Sequence, residues 1–116
     1  MNKNKKLPPL HPGEMLREEF LVPLKMKPED LAKKIGVPSK IIKEICQEKR
    51  DLTPEIICRL AIYFKMSYEF WLGMQQDYER ECLEDILENQ EKQIKKQINP
   101  LPISQLKANG RSRKHA

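Results

Sequence analysis

Apolar side chains recur along most of this chain at three- and four-residue spacing, and nowhere alternate long enough to suggest a strand. A first helix is expected from about Gly13 to Leu21, burying Met15, Leu16, Phe20 and Leu21. Pro23 should stop it, with Val22 pushed out of the α region by the proline ring. A second helix opens at Pro28, where a first-turn proline costs no hydrogen bond and Glu29 and Asp30 complement the helix dipole. Leu31, Ala32 and Ile35 share its inner face. A third begins at Ser39 or the residue before it, buries Ile42, Ile45 and Cys46, and ends near Gln47; Val37 lies between the two. After the charged connector 48–52, Thr53-Pro54-Glu55 is a strong start signal for a fourth helix burying Ile56, Ile57, Leu60, Ala61 and Phe64. Ser67 caps a fifth, with Glu69 in its first turn and Phe70, Trp71, Met74 and Tyr78 for packing. Gly73 weakens that helix without ending it. Beyond it, Cys82, Leu83, Ile86, Leu87, Ile94 and Ile98 keep an approximate helical stripe that Asn99-Pro100 terminates.

The segment around Gly36 organises the rest. Two short helices meet there, the small Ala32 permits a close crossing, and glycine supplies the positive φ of a tight turn. This is the grammar of a helix-turn-helix, whose second helix can enter the major groove; an ordinary αα-hairpin in a helical core has the same pattern. In the first case Ser39, Lys40, Lys43, Glu44 and Gln47, on the face not spent on the core, are the candidates for base contact. Lys40 or Lys43 can donate to guanine and Gln47 can pair with adenine. Glu44 can accept from cytosine N4, or pair with Lys40 four residues earlier. Lys27, Lys33, Lys49 and Arg50 flank the hairpin as candidate phosphate contacts, with plain surface charge as the rival reading.

Length bounds the fold to one small domain with a tail, and 39% hydrophobic against 34% charged residues implies a small core. The formal charge of +5 is weak evidence for a polyanion partner, but its distribution is uneven. Between Asp77 and Glu91 stand seven acids against Arg80 alone; from Lys92 to the end stand seven bases and no acid. We divide the chain into a basic, largely disordered arm (1–11), a helix-turn-helix domain (12–79), an amphipathic helical extension (80–98) and a basic disordered tail (99–116). Cys46, Cys58 and Cys82 form no metal-ligand spacing and are expected to be small buried hydrophobes in a reducing compartment. No stretch has the length of a membrane span or the apolar core of a signal peptide, which points to the cytoplasm. His11 and His115 have no partner at a recognisable catalytic spacing, and no nucleotide loop or metalloprotease motif is present. Neither an enzyme nor a cofactor or metal is expected.

At the hairpin, with Pro28 first, the positions of Ala32, Gly36, Val37, Ile42 and Ile45 match the twenty-residue pattern of the lambda-repressor-like, or XRE, family. His11-Pro12-Gly13-Glu14, Leu16-Arg17-Glu18-Glu19-Phe20, Leu31-Ala32, Ile35-Gly36-Val37-Pro38, Ile45, Lys49-Arg50, Arg59-Leu60-Ala61, Phe64 and Phe70-Trp71-Leu72 resemble the HigA-type antitoxins, also described as virulence-associated I or plasmid-maintenance antidote proteins. The resemblance covers about residues 10–79. It implies an all-α, five-helix lambda-repressor-like DNA-binding domain, here with an additional C-terminal helix. It implies a homodimer that binds double-stranded operator DNA, represses its own operon and neutralises a HigB-type mRNA endonuclease toxin. Proteins of this shape also occur as solitary repressors without a toxin.

Two positions depart from the family. Many XRE repressors carry at the place of Pro28 a glutamine that braces a phosphate contact, and Ile41 stands where a basic residue is frequent. Ile41 either touches a thymine methyl or is a local apolar exposure. One recognition helix per chain calls for a twofold dimer with half-sites about 34 Å apart. Phe70, Trp71, Leu72, Leu83, Ile86 and Leu87 are the candidates for a dimer or partner interface, Trp71 with plain core as its alternative. The acidic run can face a basic toxin, the dimer partner or solvent.

Overall fold

The structure, a computed structural model, describes residues 7–106. Among these, helices are the only regular secondary structure, and the chain divides after Leu83 into two units.

In the first unit, α1 (12–24) is one continuous helical run with three geometries: α over Pro12–Met15, π over Leu16–Leu21, α again over Val22–Leu24. The expected stop at Pro23 does not occur. Val22 is right-handed helical (φ −61°, ψ −50°), and its N–H reaches the Arg17 carbonyl, five residues back. The π turns supply the reason: widening the helix before Pro23 relieves the clash its ring would make with the carbonyl four residues earlier. Left-handed Lys25 (φ 55°) ends the run. Leu16 and Leu21 are buried as expected, Met15 and Phe20 half-buried.

Helix α2 (Pro28–Ile35) starts on its first-turn proline, with Asp30 Oδ2 accepting the Lys27 N–H at 3.1 Å. It buries Leu31, Ala32 and Ile35. Gly36 ends it at φ 74°, and the Val37 N–H closes the turn on the Ala32 carbonyl at 3.0 Å. Helix α3 (Ser39–Cys46) follows, with Pro38 as its cap and Ile42, Ile45 and Cys46 inside. Thr53 Oγ1 accepts the Ile56 N–H to open α4 (Pro54–Phe64), whose buried face is Ile56, Ile57, Leu60 and Ala61. Ser67 Oγ accepts the Glu69 N–H at the start of α5 (Tyr68–Asn89).

Trp71 is completely buried against Phe20, Phe64 and Phe70, with ring centroids 5.0 to 5.9 Å away. The largest apolar side chain in the chain is spent on the core, so Trp71 is withdrawn from the interface candidates. The expectation of three buried cysteines also needs correction. Cys46 is buried and its thiol is pushed up to about 11 by desolvation, but Cys58 is exposed and Cys82 only partly covered. On α4 the inner stripe is filled by Ile57, Leu60 and Ala61, which leaves Cys58 to one side.

The boundary drawn at 79/80 is no break in secondary structure: α5 runs through it to Asn89. The second unit holds the end of α5, α6 (Glu91–Gln97) and a short α7 (Ile103–Leu106). That last turn lies in a stretch expected to be disordered; Pro102 precedes it and its carbonyl accepts the Gln105 N–H at 2.9 Å. Residues 1–6 of the expected arm and 107–116 of the expected tail lie outside the described residues.

Candidate nucleic-acid interface

The roll of α3 about its axis is fixed by Ile42 and Ile45, both with no exposed surface. Turning these inward leaves Lys40, Lys43 and Gln47 exposed on the opposite side and Ser39 half-exposed at its first turn. Glu44, on the same side, retains 27% side-chain exposure. The five sequence-predicted base-contact residues therefore share one accessible surface, with Lys40 78% exposed. Ile41 is not an exposed apolar residue: it is half-buried against the core, beside Val37 and Ile56.

The candidate phosphate residues border that surface unequally. Lys27 is exposed just before α2, Lys33 is exposed on its outer side, and Lys49 is exposed in the connector after α3. Lys33 shares a shallow concavity with Lys25, Lys34 and Asp30, so the basic fringe there has more members than the spacing of the motif revealed. Arg50 is different. Its Nη2 lies 2.6 Å and its Nε 2.8 Å from Glu44 Oε1, and this donation holds the Glu44 carboxyl below the ordinary carboxylate range. Lys40 Nζ stands 3.9 Å from the other Glu44 oxygen, so the alternative pairing is present but looser.

Several residues that place this surface were given no such role from the sequence, although Gly13, Arg17 and Arg59 stand among those that carry the family resemblance. Gly13 packs against the backbone of α3 so closely that a Cβ there would fall 1.7 Å from the Ile45 carbonyl oxygen. Arg17 donates from Nη1 to the Cys46 carbonyl and lies 3.6 Å from Glu48, gripping the C-terminal end of α3. Arg59 does the same for α2, donating from Nη1 to the Ile35 carbonyl at 2.6 Å while Glu55 holds its other edge. Both guanidiniums satisfy carbonyls that a helix end leaves without a partner, at the pole of the dipole that favours positive charge. Gln75, buried in α5, accepts the Leu52 N–H at 2.8 Å and so fastens the connector between α3 and α4. None of these contacts has a local sequence signature, because each partner is 23 to 32 residues away.

His11, set aside as a catalytic candidate, has a structural task. Its Nδ1 accepts the Gly13 N–H at 2.8 Å and caps α1, its ring meets Tyr78 edge-on at 4.7 Å, and its Nε2 is 3.7 Å from Asp51. Burial lowers its pKa from 6.5, against the opposing pull of Asp51 and Glu48. No cluster of potential metal ligands occurs among the described residues, and none of their helices is long and apolar enough to cross a membrane.

No family model matches the chain. Virulence-associated protein I of Dichelobacter nodosus is 40% identical over 78 residues, 67% of this chain and 72% of that protein. An HTH-type transcriptional regulator of Haemophilus influenzae is 39% identical over 67 residues, 58% of this chain and 63% of that one. Among solved structures, the Pseudomonas aeruginosa antitoxin HigA with the higBA promoter aligns with a TM-score of 0.65 at 35% identity, over 81% of this chain and 99% of that chain. The HigA antitoxin shares the helical fold described above, and the Haemophilus influenzae relative is described as a regulator of the helix-turn-helix type. With α3 pinned by Gly13, Arg17, Ile42 and Ile45 and relatives of this extent, the chain belongs to the HigA-type, or virulence-associated I, antitoxin family of helix-turn-helix proteins.

Proposed function

We propose that this protein is the antitoxin of a type II toxin–antitoxin pair: a homodimer that binds operator DNA through α3, represses its own operon and neutralises a HigB-type mRNA endonuclease. The observation that carries the reading is the roll of α3. Its apolar side is locked inside while Ser39, Lys40, Lys43 and Gln47 line the open side, the arrangement a major-groove helix needs. Lys27, Lys33, Lys49 and Arg50 supply positive charge around it for the phosphate backbone. The HigA relative with its promoter supports the same use of this fold.

A dimer provides the second half-site. We assign its seam to the outer side of α4 and the start of α5, where Ile57, Cys58, Ala61, Met66 and Leu72 line an apolar groove of about 550 Å³. Ile62 and Tyr68, which also line it, are 72% and 59% exposed, an apolar surface of the kind a twofold contact between copies would cover. Of the residues expected there from the sequence, Leu72 lines the groove and Phe70 is half-buried in the aromatic cluster. Leu83, Ile86 and Leu87 are exposed further along α5, where the acids between Asp77 and Glu91 suit a basic toxin.

A solitary repressor is the second reading, supported by the transcription regulator from Haemophilus influenzae. Two experiments separate them. Gel shifts with the DNA upstream of the protein's own gene should show a twofold-symmetric site bound with a Kd on the order of 10⁻⁸ M at physiological salt. Expression of the adjacent reading frame should arrest growth alone and be harmless together with this protein, the two copurifying. No retained upstream DNA rejects the DNA-binding reading; a harmless neighbour that does not copurify rejects the antitoxin and leaves the repressor.

A further inference from the structure

Glu44 poses a difficulty for the interface just described, because a carboxylate on a DNA-facing helix repels the phosphates on either side of the groove. Its surroundings resolve this. Glu48, one residue past the Gln47 cap of α3, adopts a left-handed conformation (φ 63°), the Lys49 N–H turns back to the Glu44 carbonyl at 2.8 Å, and Arg50 is thereby brought beside the helix it has just left. There its Nε and Nη2 both donate to Glu44 Oε1, at 2.8 and 2.6 Å. Glu44 is 27% exposed and Arg50 39%, so the pair is partly sheltered from the water and salt that weaken an open ion pair. A guanidinium carries five N–H donors in a rigid fork. Glu44 engages one edge of that fork, and the Nη1 end remains to grip another acceptor.

We infer that Glu44 is a positioning residue for Arg50: it fixes the guanidinium at the end of α3 to hold a DNA phosphate, and does not itself read a base. The inference rests on the DNA-binding reading above and revises the part Glu44 plays within it. A buttressed arginine has already lost the rotamer freedom that a free side chain surrenders on binding. The pair also presents the phosphate with a donor fork in place of a bare carboxylate. The ligand follows from position: Arg50 belongs to the connector, next to Lys49 and beyond the last turn of α3, where a docked helix passes from base edges to backbone.

The test compares wild type, Glu44→Ala, Glu44→Gln, Arg50→Ala and the double variant Glu44→Ala/Arg50→Ala on the protein's own operator. A panel of single-base operator changes and a salt series complete the set. Thermal melts of each variant show that it is folded, and Glu44→Gln, which keeps an oxygen acceptor and the side-chain shape, stands in should Glu44→Ala unfold. Glu44→Ala and Arg50→Ala should each weaken binding on the order of fivefold, equally across the panel. The double variant should bind no worse than Arg50→Ala, and the salt slope should fall by about one when Arg50 is removed. Glu44→Gln should fall between wild type and Glu44→Ala. A change of preference at one base pair in Glu44→Ala but not in Arg50→Ala makes Glu44 a direct reader and overturns the inference. Tighter binding by Glu44→Ala, or losses that simply add in the double variant, also overturns it. Failure of the DNA-binding reading looks different, since wild type itself then retains no operator.

Discussion

The two units of this chain are both helical, yet only one has an interior. Every buried side chain among the described residues lies between His11 and Gln75, and from Glu84 onward none is buried. The amphipathic stripe that the sequence carries past Tyr78 thus specifies a helix without specifying a core. In the first unit, packing decides which face of each helix turns inward. In the second, local devices hold the turns, such as the Lys95–Glu91 pair at 3.6 Å and the Asn89 side-chain amide on the Asp85 carbonyl at 3.0 Å. A helix held from outside and one held from within respond differently to substitution, and this difference can be measured.

The largest effect should come from Gly13. A Cβ there overlaps the Ile45 carbonyl, so Gly13→Ala must push α1 and α3 apart or distort the end of α3. We expect a loss of about 3 kcal/mol or more in urea denaturation, with operator binding falling alongside it. Gly73 is the control, since a Cβ there meets nothing within 4 Å. Gly73→Ala in the middle of α5 should stabilise the protein by about 0.5–1 kcal/mol through helix propensity and unfolded-state entropy. Destabilisation by Gly73→Ala, or indifference to Gly13→Ala, would contradict the packing described.

Next in size is the loss of a long-range cap. Arg59→Met keeps the aliphatic stem but leaves the Ile35 carbonyl at the end of α2 without its donor. Because Arg59 remains 39% exposed and water can partly replace it, the cost should be near 1 kcal/mol, read as a shifted urea midpoint at constant slope. His11 then gives the first unit a pH dependence. Its folded pKa lies below 6.5, so between the two values the unfolded chain binds the extra proton. The stability it contributes is complete above about 6.5 and declines as the pH falls from there towards the folded value. Protonation of Nδ1 also ends its acceptance of the Gly13 N–H. His11→Asn retains a capping acceptor and cannot titrate, so melting temperatures measured from pH 7.5 to 5.5 should decline less for the variant than for wild type.

Much of this was legible in the residues, and the exceptions share a cause. The hairpin at Gly36, the caps at Thr53 and Ser67 and the inward faces of α2, α3 and α4 follow from local patterns, and the structure contains them. Arg17, Arg59, Gly13 and Gln75 act through partners distant in sequence, so no window around them carries the signal. Pro23 was misjudged because a π turn can accommodate what an α turn cannot. Trp71 and Cys58 show the limit of face assignment: helical spacing locates a stripe, but which side chains at its edges are covered depends on the neighbouring helices.

The smallest effect sharpens the comparison most. Lys95 and Glu91 are 74% and 45% exposed and pair at i, i+4 on α6. Such a pair is worth about 0.3–0.5 kcal/mol and weakens as salt rises. In the first unit a change of that size would spread over a cooperative core and move the melting temperature slightly. In α6 there is no buried residue through which to transmit it. Lys95→Ala should therefore leave the melting temperature of the first unit unchanged and speed amide hydrogen exchange only within 91–97, by about twofold at low salt. Alanine is itself a strong helix former, so Lys95→Gln serves as a second variant that keeps a long side chain and removes only the charge. Should either variant lower the melting of the first unit, the helix beyond Glu84 would have to be supported by a packed interface, and the contrast between the units would lose its basis.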